Sequence, residues 1–379
     1  MNATASAPAL SLAEKLDWLR LIRSEHVGPI TFARLIERFC NAASALSALP
    51  ELARRGGRSE TMRICDRATA EWEIEGLEKL GGRLIAIGEA EYPPALAALD
   101  DAPPLISVLG RVDFLNKPMI AVVGARNASA NGRHFAQTLS RDLGQAGLMV
   151  VSGLARGIDA AAHEGGLATG TIAVVVGGVD VIYPQENAGL YERIVADGAV
   201  VAEEPLGLQP QARHFPKRNR LISGLALGVL VVEAAQRSGS LITARLALEQ
   251  GREVFAVPGS PLDPRCQGTN DLIRHGATLT QSADNVVAQI RGMLRRPIAE
   301  PERPEYTGGT AAPAPALTEL ALDSAREKIV ESLVPAPVQV DEIVRQCQLS
   351  PAIVAAVLLE LELAGRLNRH PGHQISLAE

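Results

Sequence analysis

The sequence predicts an α/β protein. Its centre is a parallel β-sheet with helices on both faces, flanked by a helical N-terminal part and a small C-terminal domain. Apolar segments MIAVVG (119–124), LMVVSG (148–153), TIAVVVGG (171–178), AVVAEE (199–204), VLVVEA (229–234) and EVFAVPG (253–259) alternate with helical or Gly-bounded segments. That rhythm is the pattern of a parallel sheet. The segments are apolar at successive positions, as strands covered on both faces are. With 379 residues the chain is too long for one ordinary core, so two or three domains are expected.

Residues 1 to about 10 read as disordered. From Ser11 to about Trp72 the pattern is helical: Leu12, Leu16, Leu19 and Ile22 recur at helix spacing, and Phe32, Leu35, Ile36 and Phe39 repeat it after the turn HVGPI. The expected division is a helical domain over 1–75, the α/β core over 76–295, a linker over 296–320 and a last domain over 321–379. The linker is the Pro/Gly-rich tract PIAEPERPEYTGGTAAPAP (297–315). The last domain reads as helices at 324–333, 340–346 and 351–364, followed by the hairpin-like RLNRHPGHQISL, a winged-helix pattern.

The composition, 47% hydrophobic and 21% charged, is that of a soluble globular protein. Cys40, Cys65, Cys266 and Cys347 lie far apart and form no CxxC pair, which argues against a disulfide framework or zinc site and fits a reducing cytoplasm. The N-terminus lacks the basic and apolar regions of an export signal, and no uninterrupted apolar run suits a bilayer, so no membrane association is expected. The seven histidines show no metal-ligand spacing. Neither GxGxxG nor GxxxxGK[ST] follows a strand, so an ordinary dinucleotide site and P-loop ATP hydrolysis are unsupported.

Ligands in such folds sit beyond the carboxyl ends of the strands, where the distinctive motifs fall. In VGARNAS, Gly124 permits a tight turn, Arg126 can hold a phosphate and Ser129 can cap the next helix; a plain strand-to-helix turn with a solvated Arg fits equally. In SGLARGID, Gly153, Arg156 and Gly157 suggest an anion nest, with Asp159 as a helix cap rather than a base. Ser238, Gly239, Ser240 and Thr243 either donate to a phosphate or only cap a helix. Arg213, Lys217, Arg218 and Arg220 form a basic cluster in a chain of net charge −6, which points to a polyanion held at one place. Aromatics are 3% of residues, so binding is expected to be backbone-led with weak sequence preference; Phe215 and then Tyr183 are the stacking candidates, with core packing the alternative for Phe215. Glu233 and the Glu203–Glu204 pair are either an acid/base set or partners of nearby arginines.

The series VGARNAS, SGLARGID, YPQEN (183–187), FPKRNRLISGLA (215–226), VVEAAQRSGSLITARLALEQGREVFAVPG (231–259) and GTNDLIRHGA (268–277) closely resembles the DNA-processing protein A (DprA/Smf) family over about Tyr92 to Gln281. The resemblance implies an extended Rossmann-like core binding single-stranded DNA, a SAM-like N-terminal domain and a winged-helix C-terminal domain. It also implies a homodimer without cofactor or catalysis, which protects incoming DNA in natural transformation and loads the RecA recombinase. Arg126 and the run Lys217, Arg218, Asn219 and Arg220 carry over as DNA contacts; Arg156, Ser238, Gly239 and Ser240 are weaker transfers, and Ser129 and Phe215 join them from the residue reading.

The flanking domains are read as partner or packing modules. The turn HVGPITFARL resembles half of a helix-hairpin-helix, but Pro29 has no amide to donate to a phosphate. The helix PAIVAAVLLELELAG carries Glu360 and Glu362 and no base-reading cation; Arg366, Arg369, His370 and His373 in the wing leave a DNA-contact alternative. A nucleotide phosphoribohydrolase or nucleotide sensor is the competing reading. Against hydrolysis, Pro258-Gly259 lies well before Gly268-Thr269, so the compact PGGxGTxxE motif is absent.

Overall fold

The computed structural model describes residues 10–295, 319–370 and 374–378. The readings made for residues 1–9, for most of the linker and for His373 lie outside these.

The chain forms two compact units, one from Glu71–Pro297 together with the first residues, the other from Leu12–Ala70 and Ile298–Glu379. The first unit holds a nine-stranded sheet. Its strands are β1 (Arg83–Ala86), β2 (Leu105–Gly110), β3 (Met119–Gly124), β4 (Met149–Ser152), β5 (Thr171–Val174), β6 (Ala199–Ala202), β7 (Gly228–Val232), β8 (Glu253–Ala256) and β9 (Thr278–Leu279). The order is β1-β2-β6-β5-β4-β3-β7-β8-β9. From β6 to β9 all pairings are parallel; β2 is antiparallel to both β1 and β6. All six expected strands form, and the sheet is parallel except at this edge.

Both faces of the sheet are buried, as the unbroken apolar strands require. Ala121 and Val123 of β3 belong to one apolar cluster with Val151, Val229 and Leu221, while Ile120 and Val122 belong to another with Leu139, Val150 and Leu230. From β3 the chain winds through β4 and β5 to β6, then crosses back to place β7 on the other side of β3. The carboxyl ends of β3 and β7 therefore flank the point where winding reverses, the crevice where ligands of open α/β sheets bind. The returning connection carries the helix His214–Leu225, which packs over β3, β4 and β5. It brings the basic cluster to the carboxyl ends of the strands.

In the second unit the N-terminal helices Leu12–Arg23, Pro29–Phe39 and Ala42–Arg55 surround Leu21, Phe32, Leu35 and Leu49. Pro29 opens its helix at a position where a missing amide costs nothing, and Asn41 caps the next by accepting from the Ser44 amide at 2.8 Å. The C-terminal residues form helices Glu319–Ser332, Val340–Cys347 and Pro351–Leu363 and a three-stranded sheet of 338–339, 374–377 and 367–370. The expected winged helix thus forms. Its third helix is largely buried. Leu359 and Leu363 join the apolar cluster of the N-terminal helices, and Glu360 is fully buried on Arg326. Glu362 pairs with Arg369 at 2.8 Å.

Candidate nucleic-acid interface

Arg126 leaves the carboxyl end of β3 on an exposed turn. Two close approaches shape that turn. A Cβ on Gly124 would lie 1.9 Å from the Val232 carbonyl oxygen, so only glycine lets β3 end here. Gly157 adopts φ +75°, and a Cβ there would lie 2.3 Å from the Ala125 carbonyl. The SGLARGID loop therefore packs directly beneath the Arg126 backbone, and the Ile158 amide donates to the Ala125 carbonyl at 3.2 Å.

The Arg126 guanidinium lies over the Phe215 ring, 4.9 Å from its centroid. Tyr183, which is 48% exposed, meets Phe215 edge to face with ring centroids 6.0 Å apart. Phe215 is half-buried, between the stacking and core readings. Residues from three separate motifs thus form one exposed cationic and aromatic surface. Lys217 is exposed and loosely paired with Glu204 at 4.0 Å. Arg156 is exposed, 2.9 Å from Glu186. Asn219 is half-buried.

The rest of the basic run serves the fold. Arg218 is 5% exposed, and its Nη1 donates to the Val174 carbonyl at 3.3 Å. Burial pushes its guanidinium down to about 10, opposed by the attraction of Asp159. Arg220 is held by the Glu203 carboxylate and donates to the Asp101 carbonyl at 2.7 Å. Direct contact by Arg218 or Arg220 with a strand on the surface does not fit this placement, because burial removes both from solvent and Arg220 is in addition held by Glu203 and Asp101.

The anion nest is corrected as well. Asp159 is not a cap. Gly157 precedes its helix (Ile158–Gly166), and the buried Asp159 carboxylate accepts from the amides of Ala155 and Gly153. The nest is filled from within by the chain's own carboxylate, which burial pushes upward against the pull of Arg218. Buried His163 is pushed down to about 3, first by burial and then by Arg218. Its Nδ1 lies 2.8 Å from Thr171 Oγ1.

Ser129 caps the helix Ala130–Gln145, accepting from the Gly132 amide at 2.8 Å, and its hydroxyl and amide both donate to the Glu233 carboxylate. It is engaged rather than open to a strand. Glu203 thus holds Arg220, as the arginine-partner reading has it, whereas Glu233 holds Ser129 instead of an arginine. Ser238 caps the helix Gly239–Glu249, Ser240 is buried with its hydroxyl 2.7 Å from that of Ser238, and Gly239 is exposed. Sequence reading missed the Glu233–Ser129 bond and the Tyr183–Phe215 pairing. The first has no sequence signal beyond an acid at a strand end; for the second, only the aromatic in YPQEN pointed there.

Among the described residues no group of three or more His, Cys, Asp or Glu side chains is placed to hold a metal ion, and no single helix is long and apolar enough to cross a membrane.

Known proteins share this arrangement. The family model for DNA recombination-mediator protein A matches residues 83–291. Residues 12–76 match a DprA-like N-terminal HHH domain, where the turn HVGPITFARL resembled half of a helix-hairpin-helix and a SAM-like module was expected, and residues 311–373 match the DprA winged helix domain. Protein Smf of Escherichia coli is 38% identical over 314 residues, 82% of each chain. Protein Smf of Synechocystis is 32% identical over 390 residues, covering 95% of this chain and 98% of that one. Among solved structures, DNA processing protein A of Streptococcus pneumoniae superposes with a TM-score of 0.62 at 33% identity, over 74% of this chain and 98% of that one. That of Helicobacter pylori, described for its single-stranded DNA binding mode, gives 0.50 at 29% identity, over 56% and 96%. The chain belongs to the DNA recombination-mediator protein A (DprA/Smf) family and has its DNA-processing, recombination-mediator character.

Proposed function

We propose that this protein grips single-stranded DNA at the carboxyl edge of its sheet, protects incoming DNA in natural transformation, and loads the RecA recombinase onto it. The observation that carries the reading is the exposed Arg126 guanidinium over Phe215 with Tyr183 against the same ring; Lys217, on the helix that carries Phe215, adds an exposed cation. Cations there meet phosphates and release counterions, and an aromatic face stacks on any base. A duplex hides its base faces, so the surface favours single strands. The Helicobacter pylori relative, with its single-stranded DNA binding mode, supports the same assignment.

The proposal includes a cytoplasmic homodimer, which would place two such edges on one strand and raise avidity, and a role without catalysis or cofactor. It keeps the helical, core, linker and winged-helix division of the sequence. The winged helix serves packing or a protein partner, since its third helix is covered by apolar contacts and paired acids.

The test is binding of a fluorescent oligo-dT by the parent and by Arg126→Ala/Lys217→Ala across a salt series, with duplex of equal length as control. Tight, salt-sensitive single-strand binding that collapses in the variant supports the reading. Unchanged binding in the variant moves the site elsewhere. No single-strand binding at low salt promotes the nucleotide-sensor alternative.

A further inference from the structure

The turn that carries Arg126 is held by a residue with no role in the binding surface itself. Glu233 follows β7 and has φ +54°, a left-handed conformation that residues other than glycine rarely adopt. Such an outlier persists only where its surroundings over-determine it. Here they do. The Glu233 carbonyl accepts from the Ala125 amide at 2.8 Å. Its carboxylate takes the Ser129 amide at 2.8 Å and the Ser129 hydroxyl. A Cβ on Gly132 would lie 2.5 Å from that carboxylate, so the helix after Ser129 starts flush against it.

Both ends of the segment 125–129 are therefore tied to one residue across the switch between β3 and β7. Arg126 and Asn127 project from the middle as the exposed span. From below, the Ile158 amide and Gly157 close on the Ala125 carbonyl. Without the carboxylate, the Ser129 amide and hydroxyl lose their acceptor, and the end of the segment next to the helix is released. Arg126 then reaches its place over Phe215 only as one of several arrangements, and a strand must order it on binding. That ordering cost opposes affinity.

We infer that Glu233 is a positioning residue for single-strand binding: it fixes the Arg126 turn through Ser129 and Ala125 and acts on DNA only through Arg126. The inference rests on the reading above that Arg126 meets the strand.

The experiment is a double-mutant cycle on oligo-dT affinity with Glu233→Ala, Arg126→Ala and the pair, at one salt concentration. Ser129→Ala is the second variant: it removes the hydroxyl bond to the carboxylate, together with the cap on the Gly132 amide, and leaves Glu233 and its bond to the residue 129 amide in place. Thermal melting of each variant confirms that it is folded at the assay temperature. Glu233→Ala is expected to weaken binding about tenfold, within the usual range of coupling between neighbours, and Ser129→Ala by less. The pair should bind no more weakly than Arg126→Ala alone. Additive losses in the pair, or unchanged affinity in Glu233→Ala while Arg126→Ala binds poorly, overturn the inference and leave the DNA reading standing. Unchanged affinity in Arg126→Ala itself overturns both.

Discussion

Replacing Arg218 by Met separates a structural role from a DNA contact in the most sequence-distinctive motif of the chain. Arg218 and Asp159 are 5% and 6% exposed, and the attraction between them is the largest charge–charge contribution opposing the burial of each. The two attract without bonding directly, so removing one costs less than most of the about 3–5 kcal/mol range of a bonded buried ion pair, whereas replacing both often costs little. Asp159 escapes part of that cost by taking up a proton, since burial already raises its carboxyl. The lower end of the range, about 3 kcal/mol, is therefore expected. For a unit of this size that lowers Tm by about 6–12 °C. Asp159→Asn/Arg218→Met should recover most of the loss, because Asn keeps an oxygen for the Ala155 amide while the unpaired charge is gone. The assay is thermal unfolding by circular dichroism, followed by oligo-dT binding well below the lowered midpoint, where affinity should stay near that of the parent. An unchanged Tm with affinity lost as in Lys217→Ala would refute the reasoning and return Arg218 to the DNA surface.

Two further perturbations follow from buried groups. His163 is depressed from its ordinary 6.5 to about 3, so between those values the unfolded chain binds a proton that the folded chain does not. Stability is then present above pH 6.5 and is lost by about 1.4 kcal/mol for each unit as the pH falls towards 3. His163→Gln should flatten urea midpoints measured between pH 7 and 5 by about one proton's worth of slope; identical slopes would show that His163 does not titrate this way. In the second unit, Arg326→Met strips the fully buried Glu360 of its cation. A loss of about 3 kcal/mol is expected there, read as lost hydrogen-exchange protection over 319–363 with the sheet of the first unit unchanged; equal protection in parent and variant would mean that the pair contributes nothing.

The sheet was legible where strands are apolar on both faces. β1 and β9 are exposed at one end and lack the doubly apolar pattern, and the antiparallel turn of β2 depends on pairing that no local segment encodes. The winged helix was legible in full outline because its helices keep their spacing. At the proposed site, Arg126 and Lys217 were singled out by their charge and by the family resemblance, and Tyr183 as the second stacking candidate. The filled nest was not, because SGLARGID reads the same whether its amides face a ligand or Asp159. The Glu233 hold on Ser129 spans 104 residues of sequence and a backbone conformation that no glycine announced.

The run Lys217 to Arg220 shows how one basic motif divides between surface and core. Leu221, Ile222 and Leu225 are buried, and His214 and Arg218 lie on the same helical face at spacings of three, four and seven. Arg218 thus occupies a core position of the crossover helix, and Lys217 turns out to solvent. Charge counting alone missed this; periodicity contains it. The consequence is quantitative. If Arg126, Arg156, Lys217, Arg218 and Arg220 all met phosphates, the logarithm of affinity would fall by about 3.5 for each tenfold rise in salt, at about 0.7 per phosphate. With Arg218 and Arg220 withdrawn and Arg156 on Glu186, the proposed contacts Arg126 and Lys217 would leave a slope of about 1.4 for one edge. On the proposed reading, a grip with so few ionic contacts must draw part of its affinity from base stacking, and the Phe215 ring under the Arg126 cation and against Tyr183 is the surface that would supply it.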